Sequence, residues 1–211
     1  MQVIPSINVS DFESVKNLIS EAVKFTDWIH IDVGDGIFTP NSTWGNPQEF
    51  SSLKSKIQNL KSEIHLMIES PDAVVLPWLE VGVKRVIIHV ESVEDPDSLI
   101  EICKTFGGEL GLAISPETDV KELNVYFNKV KFYQVLAVNP GLSGQEFNKS
   151  ALEKIEFLRK EVPDAIIEVD GGINPETACM VKKAGADIIV SGSYFWNSDD
   201  PESAFRELSN T

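Results

Sequence analysis

The chain has 211 residues, of which 42% are hydrophobic and 24% charged, a composition typical of a soluble globular protein with one substantial core. Its formal net charge of −15 disfavours nucleic acids and anionic membrane surfaces as partners. The sequence lacks a signal-peptide pattern and a run of roughly 18 apolar residues, and its two cysteines form no disulfide framework, so we expect a cytoplasmic protein.

Short apolar runs alternate with amphipathic segments along the whole chain. The runs are rich in Val and Ile and predict strands over 3–8, 28–33, 63–68, 85–90, 109–114, 132–138, 165–170 and 187–192. Apolar residues at helical spacing predict helices over 12–23, 47–56, 73–81, after 95–96, over 119–128, 151–161, 175–184 and from about 201. Ser10 or Asp11 can cap the first of these helices.

This succession of eight β-then-α units predicts a parallel sheet closed into a barrel. The expected fold class is α/β, a (β/α)8 TIM barrel forming a single domain over residues 1–211. The alternative is an open doubly wound sheet. Such a sheet usually has fewer units, and no dinucleotide-binding fingerprint follows the first predicted strand.

Polar side chains lie late in several predicted strands, where a barrel has its active site. His30 and Asp32 are two residues apart and therefore share one face of the second strand. His65 lies in the third strand, and Asp170 ends the seventh. Two imidazoles and two carboxylates in one pocket would form a divalent metal site, for which Zn, Fe, Mn and Co are all suitable.

Each of these residues also has a structural interpretation. A single histidine in a strand is often a hydrogen-bonded core residue, Asp170 could cap a helix, and Asp32 could fix a loop. Four such residues at matching strand ends favour the metal site. His89, also late in a strand, either supports the pocket, holds Glu91 or touches the substrate.

Glycines are concentrated in the last three βα loops. Gly141 and Gly144 lie in the sixth loop, Gly171 and Gly172 in the seventh, and Gly192 precedes Ser193 after the eighth strand. Glycine allows backbone N–H groups to approach an anion closely, and barrels often bind phosphate at these loops. The alternative is that these glycines serve tight turns with positive φ.

Several motifs, in their order and spacing, resemble those of the ribulose-phosphate 3-epimerase family over nearly the whole chain. They are PSINVSDF, HIDVGDGIFTPN, EIHLMIESP, IIHVES, GLAISPET, VNPGLSGQEF and IEVDGGIN. The resemblance implies a metal-dependent enzyme of the pentose phosphate pathway that interconverts D-ribulose 5-phosphate and D-xylulose 5-phosphate through an enediolate. It also implies a small phosphorylated sugar as substrate and a homo-oligomer.

The resemblance assigns roles by position. His30, Asp32, His65 and Asp170 match the family's ligands for one divalent metal ion, and Asp32 and Asp170 match its acid/base pair. The implied substrate-binding residues are Ser6, His65, Met67, Gly141, Ser143, Gly144, Asp170, Gly171, Gly172, Gly192 and Ser193.

Some positions depart from the family pattern, although none removes a metal ligand. They are Asn8 for leucine, Gly34 and Leu136 for methionine, Ile37 for histidine, and Leu142 and Ser143 in the sixth loop. We expect Gly34 and Leu136 to change the lining of the pocket, and Ser143 to change the geometry of the phosphate loop.

Three other functions are compatible with the same barrel. The first is a 3-epimerase acting on a hexulose phosphate such as D-allulose 6-phosphate. The second is a lyase or decarboxylase, which the absence of an Asp-x-Lys-x-x-Asp strand motif disfavours. The third is a barrel that binds a sugar phosphate without converting it, and this protein would have no need of two opposed carboxylates.

Overall fold

The computed structural model describes residues 1–53 and 59–211. Parallel strands form a closed barrel in which each strand pairs with its neighbours in sequence and the first pairs with the last. The strands are β1 (Gln2–Ile7), β2 (Trp28–Gly34), β3 (Lys61–Met67), β4 (Arg85–His89), β5 (Glu109–Ile114), β6 (Phe132–Leu136), β7 (Ile166–Asp170) and β8 (Ile188–Ser191). The predicted (β/α)8 TIM barrel is confirmed.

Helices alternate with the strands. They are α1 (Phe12–Ala22), α2 (Pro47–Ser51), α3 (Asp72–Glu80), α4 (Pro96–Phe106), a 3₁₀ helix (Val120–Tyr126), α5 (Ser150–Glu161), α6 (Pro175–Ala184), α7 (Ser193–Trp196) and α8 (Pro201–Ser209). In the described part of the chain, no helix combines the length and the apolar character that crossing a bilayer requires.

Short polar side chains start several helices where the sequence predicted. Asp11, rather than the alternative Ser10, caps α1 by accepting a hydrogen bond from the backbone N–H of Ser14. Asn174 and Thr177 form a capping box at the start of α6. These caps satisfy N–H groups that have no partner inside the helix, so the chain turns onto the outside of the barrel at defined residues.

Two local predictions differ from the structure, and one short helix was not predicted. The segment 119–128 contains a 3₁₀ helix instead of an α-helix, because Leu123 is its one buried residue and the apolar stripe of a packed α-helix is missing. The helix predicted over 47–56 ends at Ser51, and residues 54–58 lie outside the described residues. The short helix α7, directly after Gly192, was not predicted.

Alternation along the strands creates two cores. Side chains that point outward pack beneath the helices, as Ile31, Leu66 and Val135 do. Side chains that point inward fill the barrel, and its apolar part consists of Ile4, Ile87, Ala113, Phe132, Leu136, Ile188 and Val190. The barrel interior also buries histidines and charged residues, which costs several kcal/mol per ion unless each has a partner. These residues lead directly to the candidate site.

Candidate active site

The strand register brings the predicted metal ligands together. Asp32 of β2 pairs with His65 of β3, and Asp170 ends β7, next to Leu136 of β6. Asp32 Oδ1 lies 3.2 Å from His30 Nε2 and 3.1 Å from His65 Nδ1. Asp170 Oδ2 lies 3.7 Å from His65 Nδ1. All four predicted residues therefore converge at the carboxyl end of the barrel.

This cluster fits a divalent metal ion. One ligand atom from each of His30, Asp32, His65 and Asp170 lies within 4.8 Å of all the others. Two ligand atoms that each lie about 2.1 Å from an ion are at most about 4.2 Å apart, so a small contraction would complete the site. Imidazole and carboxylate donors suit Zn, Fe, Mn and Co alike, so the donor set leaves the metal open.

The two aspartates hold their protons with very different strength. Burial raises the pKa of Asp170 to about 7, and the neighbouring charge of Asp32 adds to this shift. Burial acts in the same direction on Asp32, but the charge of His30 and hydrogen bonds from His30 and His65 outweigh it and lower the pKa of Asp32. Near neutral pH, Asp32 is therefore ionised, whereas Asp170 is close to its midpoint of titration.

The two ligand histidines face the cluster through different nitrogens. His30 presents Nε2 and His65 presents Nδ1 to Asp32. Burial, as the largest cause, lowers the pKa of His65 to about 4 and keeps it neutral. For His30, burial opposes protonation, but the charges and hydrogen bonds of Asp32 and Glu63 raise the pKa well above its ordinary value.

His89 supports the site from the side opposite Asp32. Its Nε2 lies 2.9 Å from His65 Nε2, and its Nδ1 lies 3.0 Å from Glu91 Oε2. It does not belong to the pocket lining that the described residues form. Of its predicted roles, the structure therefore supports packing behind the pocket and contact with Glu91.

A layer of charged side chains lies directly beneath the ligands. His30, Glu63, Arg85 and Glu109 occupy matching positions on the adjacent strands β2 to β5. Glu63 Oε1 lies 2.8 Å from His30 Nδ1, and Glu63 Oε2 accepts a hydrogen bond from Arg85 Nη1. The Arg85 guanidinium lies 3.6 Å from the centre of the Phe132 ring. Each of these buried charges therefore has a partner.

Glu168 and Gln134 complete this layer on the other side of the barrel. Gln134 Nε2 donates to Glu168 Oε1 over 3.1 Å. Burial, together with the charge of Glu63, raises the pKa of Glu168 well above its ordinary value. We call His30, Glu63, Arg85, Gln134 and Glu168 the charged layer.

Sequence reasoning missed the charged layer except for His30, although a signal was present. Glu63 precedes His65 by two residues, and Glu168 precedes Asp170 by two residues. Residues two apart in a strand share a face, so the predicted ligands themselves indicate that both glutamates point into the barrel.

Above the ligands, a pocket opens between the βα loops. Its lining contains the predicted residues Ser6, Asp32, Met67, Gly141, Ser143, Gly144, Asp170, Gly171, Gly172, Gly192 and Ser193. His30 and His65 are fully buried below it. The lining also includes Asn8, Val138 and Gln145, which were not predicted as site residues.

Most glycines at the mouth of the pocket leave no room for a side chain, Gly144 being the exception. At Gly171 (φ 100°) a Cβ atom would lie 2.3 Å from Val138 Cγ2, and at Gly172 (φ 65°) one would lie 2.7 Å from Phe147 Cα. A Cβ atom at Gly192 would lie 2.4 Å from Ser6 Oγ. Both interpretations of the glycines thus have support, since the turns need positive φ and the bare backbone faces the pocket. We call Gly141, Gly144, Gly171, Gly172 and Gly192 the glycine rim.

The positions that depart from the family pattern differ in their contact with the pocket. Leu136 belongs to the lining, as expected. Gly34 does not belong to the lining that the described residues form. Thr39 fills the space beside Gly34, because a Cβ atom there would lie 2.7 Å from Thr39 Oγ1. Ile37 is 70% exposed.

Asn8, which also departs from the family pattern, joins the loop after β1 to the sixth loop. Its Nδ2 donates to the carbonyl of Gly141 over 3.1 Å. Asp35, in the second loop, has a structural role, because its carboxylate accepts hydrogen bonds from the backbone N–H groups of Ile37, Phe38 and Glu69. These contacts fix the loops that surround the pocket.

Solved structures of low sequence identity share the fold. The 3-hexulose-6-phosphate synthase from Salmonella typhimurium aligns with a TM-score of 0.77 at 16% identity and covers 100% of this chain and 97% of that one. KGPDC from Streptococcus mutans, in complex with D-R5P, aligns with a TM-score of 0.78 at 11% identity, over 99% and 95% of the two chains. At such identities the similarity shows the fold alone.

Relatives of higher sequence identity indicate the family as well as the fold. Ribulose-phosphate 3-epimerase of Bacillus subtilis (strain 168) is 35% identical over 99% of this chain and 98% of that protein. The enzyme of the same name from Schizosaccharomyces pombe is 30% identical over 100% of this chain and 93% of its own length. The model of the Ribulose-phosphate 3 epimerase family matches residues 2–196. The chain therefore belongs to the ribulose-phosphate 3-epimerase family and is an epimerase of carbohydrate metabolism.

Proposed function

We propose that this protein interconverts D-ribulose 5-phosphate and D-xylulose 5-phosphate in the pentose phosphate pathway, with Asp32 and Asp170 as its acid/base pair. The observation that carries the proposal is the pair of aspartates that line one pocket with opposed proton affinities. They enter that pocket from β2 and β7, which are separated by β1 and β8.

Epimerisation next to a ketone needs two proton transfers. One proton leaves a face of the carbon, and another arrives on the opposite face. Asp32 and Asp170 line the same pocket, so one is placed to accept the first proton and the other to donate the second; in the metal-free protein Asp32 is ionised and the pKa of Asp170 is about 7. In the reverse reaction the two roles are exchanged. A pair of groups with separated pKa values thus serves both directions.

The proposed metal ligands are His30, Asp32, His65 and Asp170. A divalent ion held there would supply positive charge that stabilises the negative charge developing on the substrate oxygens. The surrounding protein excludes water from beneath this point, because both histidines are fully buried. Electrostatic interactions are stronger in such an environment than in water.

The glycine rim, with Ser143 and Ser193, is proposed to bind the substrate phosphate. Backbone N–H dipoles can bind an anion even in a protein with a net charge of −15, because they need no cationic side chain. Ser6 and Met67 line the same pocket and are proposed to contact the sugar. The phosphate would then orient the sugar and place its reacting carbon between the two aspartates.

The names of the sequence relatives favour a pentulose phosphate over the hexulose phosphates of the alternative epimerases. The two opposed aspartates favour catalysis over binding without turnover. A cytoplasmic location and a homo-oligomeric state belong to the proposal by analogy with the family. A substrate panel of pentulose and hexulose phosphates, with metal analysis of the same sample, distinguishes these functions.

The sharpest test is Asp170→Asn in folded, metal-loaded protein. Removal of an acid/base group should lower the rate of epimerisation by about 10²–10⁴-fold. Asp97→Asn is the matched control, because Asp97 pairs with Lys129 on the surface of α4. Undiminished epimerisation by the Asp170 variant would rule out the proposed acid/base pair.

A further inference from the structure

Two carboxylates outside the ligand set lie behind the two ligand histidines. We propose that Glu63 and Glu91 are positioning residues that determine which ring nitrogen of His30 and of His65 is free to bind the metal. Glu63 acts directly on His30, and Glu91 acts on His65 through His89. The inference rests on the proposed metal site and adds the residues that give this site its geometry.

The contact between Glu63 and His30 fixes one tautomer. A carboxylate can only accept a hydrogen bond, so His30 Nδ1, which lies 2.8 Å from Glu63 Oε1, carries the proton. With an ion bound, His30 Nε2 is then the nitrogen that presents a lone pair to the cluster; in the metal-free protein it lies 3.2 Å from Asp32 Oδ1. Arg85 holds the other oxygen of Glu63, so the carboxylate has one orientation available. Both side chains of the His30–Glu63 pair are 0% exposed.

The contacts behind His65 fix the opposite tautomer. Glu91 Oε2 accepts from His89 Nδ1 over 3.0 Å, which leaves His89 Nε2 as an acceptor. His89 Nε2 lies 2.9 Å from His65 Nε2, so with an ion bound His65 carries its proton there and has a lone pair free on Nδ1, the nitrogen that faces Asp32 in the metal-free protein. Glu91 Oε1 is held by the backbone N–H of Ser115 and by Thr118 Oγ1.

The contact with Glu63 therefore leaves Nε2 of His30 free to bind the ion, and the contact with Glu91 through His89 leaves Nδ1 of His65 free to bind the same ion. A neutral imidazole has one lone pair in its ring plane, and the wrong tautomer would direct an N–H group at the metal. Partners of this kind orient histidine ligands and raise their basicity, and losing one typically costs 10–100-fold in metal affinity. Neither glutamate needs to touch the substrate to have this effect.

Replacement of Glu63 or Glu91 by glutamine tests whether these carboxylates determine the tautomers of the ligand histidines. In Glu63→Gln, the single amide oxygen is required by Arg85, which has only donors, so the NH₂ group faces His30 and donates to Nδ1. In Glu91→Gln, the oxygen is required by Ser115 N and Thr118 Oγ1, so the NH₂ group faces His89 and reverses both tautomers in the relay. Each substitution thus places a proton on the nitrogen that faces the ion.

The experiment measures Zn²⁺ affinity by competition with a chelator and histidine tautomers by long-range ¹H–¹⁵N NMR. In the Zn²⁺-loaded wild-type protein, we expect the proton on Nδ1 of His30 and on Nε2 of His65. In the metal-free state, compared with metal-free wild-type protein, we expect Glu63→Gln to lose the proton on Nδ1 of His30 and Glu91→Gln to lose the proton on Nδ1 of His89. Both variants should bind Zn²⁺ about 10–100-fold more weakly.

Glu109→Gln is the matched control, because Glu109 binds Arg85 Nε on the side away from the histidines. Its Zn²⁺ affinity should stay within about threefold of the wild-type value, and Glu63→Asp, which keeps an acceptor, should recover part of the lost affinity. If Glu63→Gln does not fold, Glu91→Gln decides the question, because its site lies nearer the surface, with Glu91 20% exposed.

The outcomes separate this inference from the proposed function. Wild-type protein that binds no divalent metal would overturn the proposed metal site and the inference with it. Tight binding by the wild-type protein, with equal affinity and unchanged tautomers in both glutamine variants, would overturn the inference alone.

Discussion

The charged layer and the glycine rim lie on opposite sides of the same four ligands and are built in opposite ways. The layer consists of side chains that are almost completely buried, and each of its charges has a partner inside the barrel. The rim consists of glycine backbone where, except at Gly144, a Cβ atom would meet neighbouring atoms, with Gly171 and Gly172 held at positive φ. In the charged layer, contacts between side chains fix the positions of those side chains. In the glycine rim, the absence of Cβ atoms allows the backbone to pack closely and to face the pocket.

This difference indicates which property of the protein a substitution in each region should change. A change in the layer leaves a buried charge without its partner, so it should act on folding stability and on metal affinity. A change in the rim introduces a side chain into the space that faces the pocket, so it should act on substrate affinity. Two substitutions test this division directly and two more test contacts beside the layer and the rim, with expected effects that decrease in the order given.

The largest effect is expected for Arg85→Met. It removes the guanidinium that pairs with Glu63 and lies beside Glu168, and thereby leaves the layer without its cation. The free energy of unfolding, measured with urea, should fall by about 3–5 kcal/mol. Lys129→Met, at a surface ion pair with Asp97, is the control and should cost at most about 1 kcal/mol. Equal losses in the two variants would contradict the importance of the layer for stability.

Gly172→Ala should act on substrate binding. The new Cβ atom would meet Phe147 N and Cα at 2.7 Å, so the seventh loop must shift. We expect KM for the sugar phosphate to rise at least about tenfold, with a destabilisation of about 1–3 kcal/mol. In the comparison variant Gly144→Ala, the backbone is equally left-handed, but no atom lies within 4 Å of the Cβ position. If both variants raise KM equally, contact with Phe147 is not the cause.

Glu91→Gln should change the pH dependence of stability. Burial opposes ionisation of Glu91, but hydrogen bonds from His89 and Thr118 lower its pKa from 4.5 to about 2. The folded protein therefore binds fewer protons than the unfolded chain, so this contribution is present above pH 4.5 and is lost as the pH falls towards 2.

The wild-type protein should accordingly lose on the order of 1–2 kcal/mol more than Glu91→Gln across this interval, after allowance for solvent screening. Urea unfolding at several pH values measures the difference. The control Glu101→Gln, at an exposed pair with Lys104, should follow the wild-type curve. Parallel curves for the wild-type protein and Glu91→Gln would refute the prediction.

The smallest effect is expected for Asn8→Leu, which introduces the residue usual in the family. It removes the hydrogen bond from Asn8 Nδ2 to the Gly141 carbonyl and should cost about 1 kcal/mol. Backbone amides of the sixth loop should exchange with deuterium faster, because the link to the loop after β1 is lost. Asn8→Asp, which also lacks the donor, should behave alike. Unchanged exchange in both variants would mean that other contacts hold this loop.

The sequence by itself determined the architecture and the convergence of the ligands. Apolar runs that alternate with helical patterns are local features, and a chain of eight such units closes into a barrel. The two-residue period then indicates that His30 and Asp32 share the inward face, and the end of a strand indicates where Asp170 lies. These predictions succeeded because each depends on a spacing within one short segment.

Tertiary structure alone decided the partners that come from different strands. That Glu63 lies between His30 and Arg85 depends on the register of three strands, and no spacing along the chain encodes it. The same applies to Gly34, whose neighbour is Thr39 rather than the pocket. The charges of the layer are stable inside the barrel because closure brings opposite partners together where water cannot reach them, which is a property of the closed sheet and of no single segment.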